Sequence, residues 1–295
     1  MFPVEKTLKK PMPIVDLHIH TYFSDGKYSP EEVLARAAEI GLKTIAFTDH
    51  ENATAARLVQ DQAGGANHGI QVIPGVEFTT SWPGLDVLPG DTDIDLLGYF
   101  FNLDSAEFKA LELAELQDFR QRILACCEIL TAAGHPLSLE DVLAVNPRFP
   151  SLASLIFATQ RKGHADSWEA GYRLVTAAWR QVRACRLEIG DASATIHAAG
   201  GVAVLAHPSA IARQGGLIGR EQVAQLANLG LDGLEVYHHR NNDAARQQLL
   251  ALAQQFHLEV SGGSDEHGWW HSRLGTQPVT EEMLQSLRAR SRRTA

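Results

Sequence analysis

The chain has 295 residues, 45% of them hydrophobic, with a formal net charge of −9, which is enough for one large domain or two modest ones with a full core. That charge excludes a general attraction to nucleic acid or to an anionic membrane, so any phosphate-bearing substrate has to be held locally, by metal ions or a few arginines. No run is apolar enough to span a bilayer, and Cys126, Cys127 and Cys185 match neither a disulfide framework nor a thiolate metal site; together with a start that mixes Glu5, Lys6, Lys9 and Lys10 with apolar residues, this predicts a cytoplasmic protein.

Residues 12–15 form an apolar run that reads as a buried strand, and Asp16-Leu17-His18-Ile19-His20 follows it directly. Two histidines two residues apart on a strand share a face, which is the geometry of a shared metal. Asp25 lies five residues further on. Ser29-Pro30-Glu31-Glu32 then starts a helix that runs to Gly41. Residues 43–48 are a short β-rich run ending on Asp49-His50. A helix over 53–63 leads to a strand over 70–76 that ends on Glu77, and residues 93–100 read as a fourth strand offering Asp93 and Asp95. Alternation of this kind implies a parallel sheet or barrel with helices outside.

From residue 103 the texture turns helical, with helices expected over 106–133, 151–163 and 167–186 and breaks at Gly134-His135-Pro136 and Asn146-Pro147. Alternation resumes with a helix over 192–199, a strand over 202–206 ending on His207, a helix over 221–228 and a strand over 233–237 ending on His238-His239-Arg240. A helix over 243–257, a strand over 258–263 and the loop Ser264-Asp265-Glu266-His267 follow, and a helix over 281–290 closes the chain. Arg288, Arg290, Arg292 and Arg293 are expected to form a solvated, frayed tail. The expected division is 12–102 and 192–290 as one α/β unit, with 103–191 inserted as a helical domain.

The strand ends deliver His18, His20, Asp25, His50, Glu77, Asp95, His207, Asp265 and His267. This set exceeds what a single ion needs, and it predicts a cluster of two or three divalent ions bridged by a carboxylate such as Glu77. Such ions lower the pKa of bound water and neutralise charge on a phosphoryl group, so the set points to phosphoester hydrolysis. Imidazole and carboxylate donors without thiolate suit manganese, iron or zinc, and the number of carboxylates favours manganese.

The segments Asp16-Leu17-His18-Ile19-His20 with Ser24-Asp25-Gly26, Phe47-Thr48-Asp49-His50, Pro74-Gly75-Val76-Glu77, Leu205-Ala206-His207-Pro208 and Gly263-Ser264-Asp265-Glu266-His267 resemble, in order, the five motifs of the PHP (polymerase and histidinol phosphatase) family. Residues 199–208 and 233–237 are most similar to its branch of nucleoside 3′,5′-bisphosphate phosphatases and a 5′-to-3′ exoribonuclease. The resemblance implies a distorted (β/α)7 barrel with a trinuclear centre. One ion would take His18, His20, Glu77 and Asp265; a second would share Glu77 and take His207; a third would take Asp25, His50 and His267. Asp95 stands where that branch carries a histidine. Phe149-Pro150-Ser151-Leu152-Ala153 stands where its insertion carries an Arg and a His, and the Arg that closely follows its His-Pro motif is absent, leaving Arg213 as stand-in.

His239 is the candidate proton donor to the leaving oxygen, acting beside Asp265 and His267 in the catalytic centre. His238, Arg240, Arg213 and Arg273 are candidate substrate contacts, and Glu235 is an interior acid without an assigned role. Trp269 and Trp270 are expected to pack against the closing helix. The substrate expected is a small phosphorylated metabolite such as a nucleoside 3′,5′-bisphosphate, or a short RNA 5′ end, without a stable nucleic-acid complex or a membrane partner. The competing readings are the same chemistry on histidinol phosphate or a cyclic phosphodiester, and a non-catalytic metal-binding protein. An amidohydrolase-type reaction is disfavoured because no lysine stands at a strand end.

Overall fold

A computed structural model describes residues 14–61, 68–82, 93–183, 185–211 and 218–294. Arg213 lies outside them. The described strands form two sheets. β1 (Val15–Ile19), β2 (Thr44–Phe47) and β3 (Gln71–Ile73) pair in parallel in that order, with α1 (Pro30–Ile40) and α2 (Thr54–Asp61) between them in sequence. α1 begins with the predicted cap: the Ser29 hydroxyl accepts from the Glu32 N–H at 3.2 Å, and the Glu32 carboxylate accepts from the Ser29 N–H at 2.8 Å. It ends at Gly41, whose φ of 88° only glycine adopts freely.

The second sheet runs in the order β4 (Gly75–Ser81), β5 (Asp93–Tyr99), β6 (Val202–Leu205), β7 (Gly233–Tyr237) and β8 (Glu259–Gly262). Here the fold departs from the expected uniform alternation. The single strand expected over 70–76 is two strands in different sheets, broken at Pro74, which cannot donate a ladder hydrogen bond. Gly75 then lies so close to β2 that a Cβ would sit 2.5 Å from the Phe47 carbonyl oxygen. β5 is antiparallel to both β4 and β6, whereas β6, β7 and β8 are parallel. Single parallel bridges, Ile19 with Glu266 and His50 with Glu77, tie the two sheets together at both of their seams.

Side chains alternate across these strands. Leu234 and Val236 of β7 join Ala203 and Leu205 of β6 in a core that includes residues of α7 (Ile189–Ala198), α9 (Arg220–Asn228) and α10 (Asp243–Gln255). Val202, Val204, Leu97 and Tyr99 pack instead with Val15 and Leu17 of β1 and with Leu284 and Leu287 of α11 (Glu281–Thr294). The Tyr99 hydroxyl donates to the Leu17 carbonyl at 2.9 Å, joining the sheets through the interior. The expected frayed basic tail is part of α11: the Arg290 guanidinium pairs with Asp232 at 2.9 Å, and the Arg288 guanidinium lies 5.5 Å from the Phe100 ring centroid.

Between β5 and α7 stand α3 (Ala106–Ala132), α4 (Leu139–Leu143), α5 (Leu152–Arg161) and α6 (Trp168–Trp179). The last of these ends earlier than expected. These helices carry a core of their own, built from Phe119, Ile123, Val142, Leu155 and Val175 among others. Trp269 and Trp270 dock on this region rather than on the closing helix: their rings lie 4.8 Å from Phe157 and 4.9 Å from Trp168.

Candidate metal centre

Most of the predicted ligands arrive at or beyond a strand end, whereas Glu77 and Asp95 stand at the third position of β4 and β5. His18 and His20 come from β1, His50 follows β2, Glu77 and Asp95 lie on β4 and β5, and His207 and Asp265 follow β6 and β8. His207 and Asp265 hold φ values of 27° and 54°, a conformation costly for residues other than glycine and characteristic of functional sites.

Glu77 is the hub. Its Oε2 lies 3.2 Å from His18 Nε2, 3.1 Å from His20 Nε2 and 3.7 Å from His50 Nε2, and its Oε1 lies 3.0 Å from His207 Nε2. Asp265 approaches His18 at 3.6 Å and His20 at 3.4 Å. Asp25 lies 3.4 Å from His20 Nδ1, 3.2 Å from His267 Nε2 and 3.9 Å from His50 Nε2. Asp95 faces His207 at 3.7 Å. In this centre, among the described residues, three groups of donor atoms fall within 4.8 Å of one another: His20, Asp25, His50 and His267; His18, Glu77 and His207; and His18, His238 and Asp265.

This donor set suits divalent cations. Burial alone would discharge the groups, yet imidazoles and carboxylates stabilise each other's charged forms. Burial disfavours the His20 imidazolium, but its close contacts with Asp265 and Glu77 push it up to about 10. Burial raises Glu77 and Asp265, but neighbouring imidazoles, His18 and His50 for Glu77 and His267 and His18 for Asp265, hold both carboxyls well below the ordinary range. Asp95 is raised, by burial and by the charge of Glu77. The Glu77 and Asp265 carboxylates therefore stay charged, and the buried His20 Nε2 lacks a hydrogen-bond partner while pointing at both. Both features are what a cation needs.

Residues behind these donors fix them. Glu235 is fully buried; its Oε1 accepts from His18 Nδ1 at 2.8 Å and its Oε2 from the His207 N–H at 2.7 Å. His18 is thereby held as the tautomer whose Nε2 is free to ligate. The Asp49 carboxylate accepts from the Thr21 N–H at 2.7 Å, the Thr21 hydroxyl at 2.8 Å and the Ser24 hydroxyl at 2.6 Å, bracing the loop between His20 and Asp25. Asp16 accepts from the N–H groups of Ser264 and Gly275 at 2.9 and 2.8 Å.

The candidate substrate contacts separate. Arg240 is exposed and lines a cavity of about 290 Å³ whose other lining residues include Asp25, His50, Asp95 and His207. His238 is fully buried with Nε2 3.3 Å from Asp265, placed with the ligands and away from solvent. Burial and the adjacent His238 lower His239 to about 4, so near neutral pH it is a neutral imidazole rather than an acidic imidazolium. Arg273 does not line the cavity, and its N–H donates to the Glu266 carboxylate.

The family model described as the PHP domain matches residues 16–173, which carry three of the five motifs and most of the inserted helices. The chain belongs to the PHP domain family. Among PHP relatives, it is 30% identical over 259 residues to the 5′-3′ exoribonuclease Rnm of Escherichia coli, covering 86% of this chain and 85% of that one. It is 29% identical over 263 residues to the phosphoribosyl 1,2-cyclic phosphate 1,2-diphosphodiesterase of Eggerthella lenta, covering 86% and 94%. Its fold matches a crystal structure from Bifidobacterium adolescentis, described as that of a metal-dependent phosphoesterase, with a TM-score of 0.82 at 25% identity over 96% of this chain and 98% of the other. With this family and this ligand set, the chain is a metal-dependent phosphoesterase.

Proposed function

We propose that this PHP protein hydrolyses a phosphate monoester of a nucleotide, either a nucleoside 3′,5′-bisphosphate or the 5′ end of a short RNA. The observation that carries the reading is the cavity itself, where metal-ligand candidates share one space with the aromatic rings of Tyr172 and Trp179 and with two arginines. Aromatic faces accept nucleobases by stacking, and guanidinium groups accept phosphate.

His18, His20, Asp25, His50, Glu77, Asp95, His207, Asp265 and His267 would hold two or three ions, with manganese favoured over iron or zinc by the carboxylates, and buried His238 joins Asp265 in this set. Bound divalent ions supply Lewis-acid polarisation of the phosphoryl group and a lowered pKa for coordinated water. Glu77 and Asp265 orient the imidazoles around them, and Glu235 keeps His18 in its ligating tautomer. Arg240 stands on the open side and orients the scissile phosphate. Because His239 is a neutral imidazole near neutral pH, the leaving oxygen takes its proton from water. Residues 103–191 act as a substrate-covering domain inserted into the unit formed by 12–102 and 192–290. The bridges at both seams support reading the two sheets as the distorted barrel of the resemblance. Three free, buried cysteines support a reducing, cytoplasmic location.

The test is phosphate release from adenosine 3′,5′-bisphosphate by manganese-loaded protein, with the Glu77→Ala, Asp265→Ala double variant as background. Release by the native protein alone is expected. No release while the native protein holds metal would refute the nucleotide reading. A second reading, the same hydrolysis on a cyclic phosphodiester, draws on the name of the Eggerthella lenta relative and on the missing His near Phe149; turnover of the cyclic diester without turnover of the bisphosphate would establish it.

A further inference from the structure

The edge of β4 that faces away from β5 changes partners at Thr79. On either side of it, the Glu77 and Ser81 N–H groups donate to the backbone carbonyls of Asp49 and Leu187 at 3.2 and 2.8 Å. Thr79 meets side chains instead: its N–H donates to Glu51 Oε1 at 3.1 Å, and its carbonyl accepts from the Cys185 thiol at 3.0 Å. The Glu51 carboxylate and the Cys185 sulfur thus hang on the backbone of one residue. Glu115 joins them from α3, with Oε2 3.8 Å from Cys185 Sγ. Asp118, one turn further along the same helix face, brings a carboxylate oxygen to within 4.8 Å of donor atoms of both Glu115 and Cys185.

This group is short of positive charge. Arg183 pairs with Asp118 and Arg122 with Asp93, whereas neither Glu51 nor Glu115 has an ion pair among the described residues. Glu51 is 1% exposed, and its Oε2 has no hydrogen-bond partner. Burial, and after it the charge of Glu51, push the Cys185 thiol up, which sets the unpartnered carboxylate against the sulfur. A buried carboxylate oxygen with nothing to accept, beside a second unpaired carboxylate, is costly unless a cation completes it.

We propose that Glu51, Glu115, Asp118 and Cys185 form a second metal site, for one zinc ion, separate from the histidine-rich centre. One sulfur with carboxylate oxygens is a donor set for four-coordinate zinc, and it differs from the main centre, whose donors include no thiolate. On binding, the thiol proton leaves to solvent and the sulfur exchanges its bond to the Thr79 carbonyl for one to zinc. Arg183 keeps its hold on Asp118, and these two partly exposed side chains mark the way in. The ion would join α3 of the inserted helices to the edge of β4, two residues beyond Glu77, and to the loop after β2 that carries His50. It would thereby brace the inserted helices against the wall of the main centre. Cys185 has no cysteine partner in the sequence; the fold supplies carboxylates in place of further thiolates.

The test uses the full chain under reducing conditions, stripped of metal, reloaded with manganese and then titrated with cobalt(II). Thiolate ligation gives cobalt an intense near-ultraviolet charge-transfer band that imidazole and carboxylate ligands do not give, so cobalt entering the histidine-rich centre stays silent there. The native protein should show this band, and added zinc should abolish it. Cys185→Ser should lose the band, and the Cys126→Ala, Cys127→Ala double variant should keep it, each variant being checked first for native melting. Glu115→Gln should need about tenfold or more cobalt to reach it, because a ligand counts for at least as much as the groups that support ligands. No band in the native protein, or a band that survives in Cys185→Ser, overturns the site. Should Cys185→Ser not fold, an unchanged cobalt requirement in Glu115→Gln overturns it instead.

Discussion

Replacing Glu235 with Gln tests whether a residue that touches no open cavity controls the metal centre. The carboxylate has two buried donors to satisfy, His18 Nδ1 and the His207 N–H, one on each oxygen. A carboxamide offers one acceptor oxygen, so one donor keeps its partner and the other faces an NH2 group. Leaving one buried donor unsatisfied costs about 1–3 kcal/mol of stability. If the oxygen stays with His207, the His18 ring is freed to turn or to take its other tautomer, which moves a lone pair away from Glu77 and Asp265. Loss of such a supporting hydrogen bond weakens metal binding by about 10–100-fold, or about 1.4–2.7 kcal/mol. We predict both effects together: a lowered melting temperature for the metal-free variant, and a manganese dissociation constant raised by one to two decades in isothermal titration. A variant that melts lower yet binds manganese with native affinity would show that Glu235 only fills the interior, and the positioning argument would be wrong.

Gly263→Ala should also weaken metal binding by about tenfold or more, because a Cβ there would lie 2.3 Å from that of His18 and only movement of β1 or β8 could relieve the clash; native affinity in the same titration would count against the tight placement of His18. Removing metal by chelation should lower the melting temperature, since a ligand bound only by the folded state stabilises it; an unchanged temperature would mean that the donors hold no ion in solution. Asp232 supplies a pH test remote from the metal centre. Burial works to raise its pKa, but the hydrogen bonds from His197 and the Ala203 N–H, and the Arg290 pair, hold it below the usual carboxylate range. Its contribution to stability is therefore present above the unfolded carboxylate pKa of about 4 and is lost as pH falls through the lower folded value. Native protein should lose more stability than Asp232→Asn between pH 5 and pH 3, by about 1 kcal/mol in denaturant titrations; parallel losses would remove Asp232 as a contributor.

Much of the fold is legible because a strand and the residue at its end lie within a few positions of each other. The His18 and His20 pair needs only period-two alternation to share a face, and α1 announces itself by Ser29, Pro30, Glu32 and Gly41. The division into two sheets is not legible in that way. Residues 70–77 read as one apolar run, and what separates β3 from β4 is a missing N–H at Pro74 combined with the approach of Gly75 to the Phe47 carbonyl, a contact between segments distant in sequence. The antiparallel placement of β5 depends likewise on pairing, which local propensity does not encode.

The candidate site shows the same boundary more sharply. The metal-ligand candidates other than Asp95 and His238 stand in short motifs, whereas the sequence places His238 among the substrate contacts and leaves Glu235 alone in an apolar strand. Its neighbours Leu234 and Val236 turn outward, so alternation does direct Glu235 inward, but its partner His18 is 217 positions away. His238 and His239 are harder still, because two adjacent histidines after a strand give no local reason for one to be buried against Asp265 and the other not. The register of β7 against β8 shifts between Glu235 and Tyr237, just before the two imidazoles. A sequence motif can therefore name the donors of a metal centre, but the groups that hold those donors in one tautomer and one direction are fixed by pairing between distant strands, and only the three-dimensional arrangement reveals them.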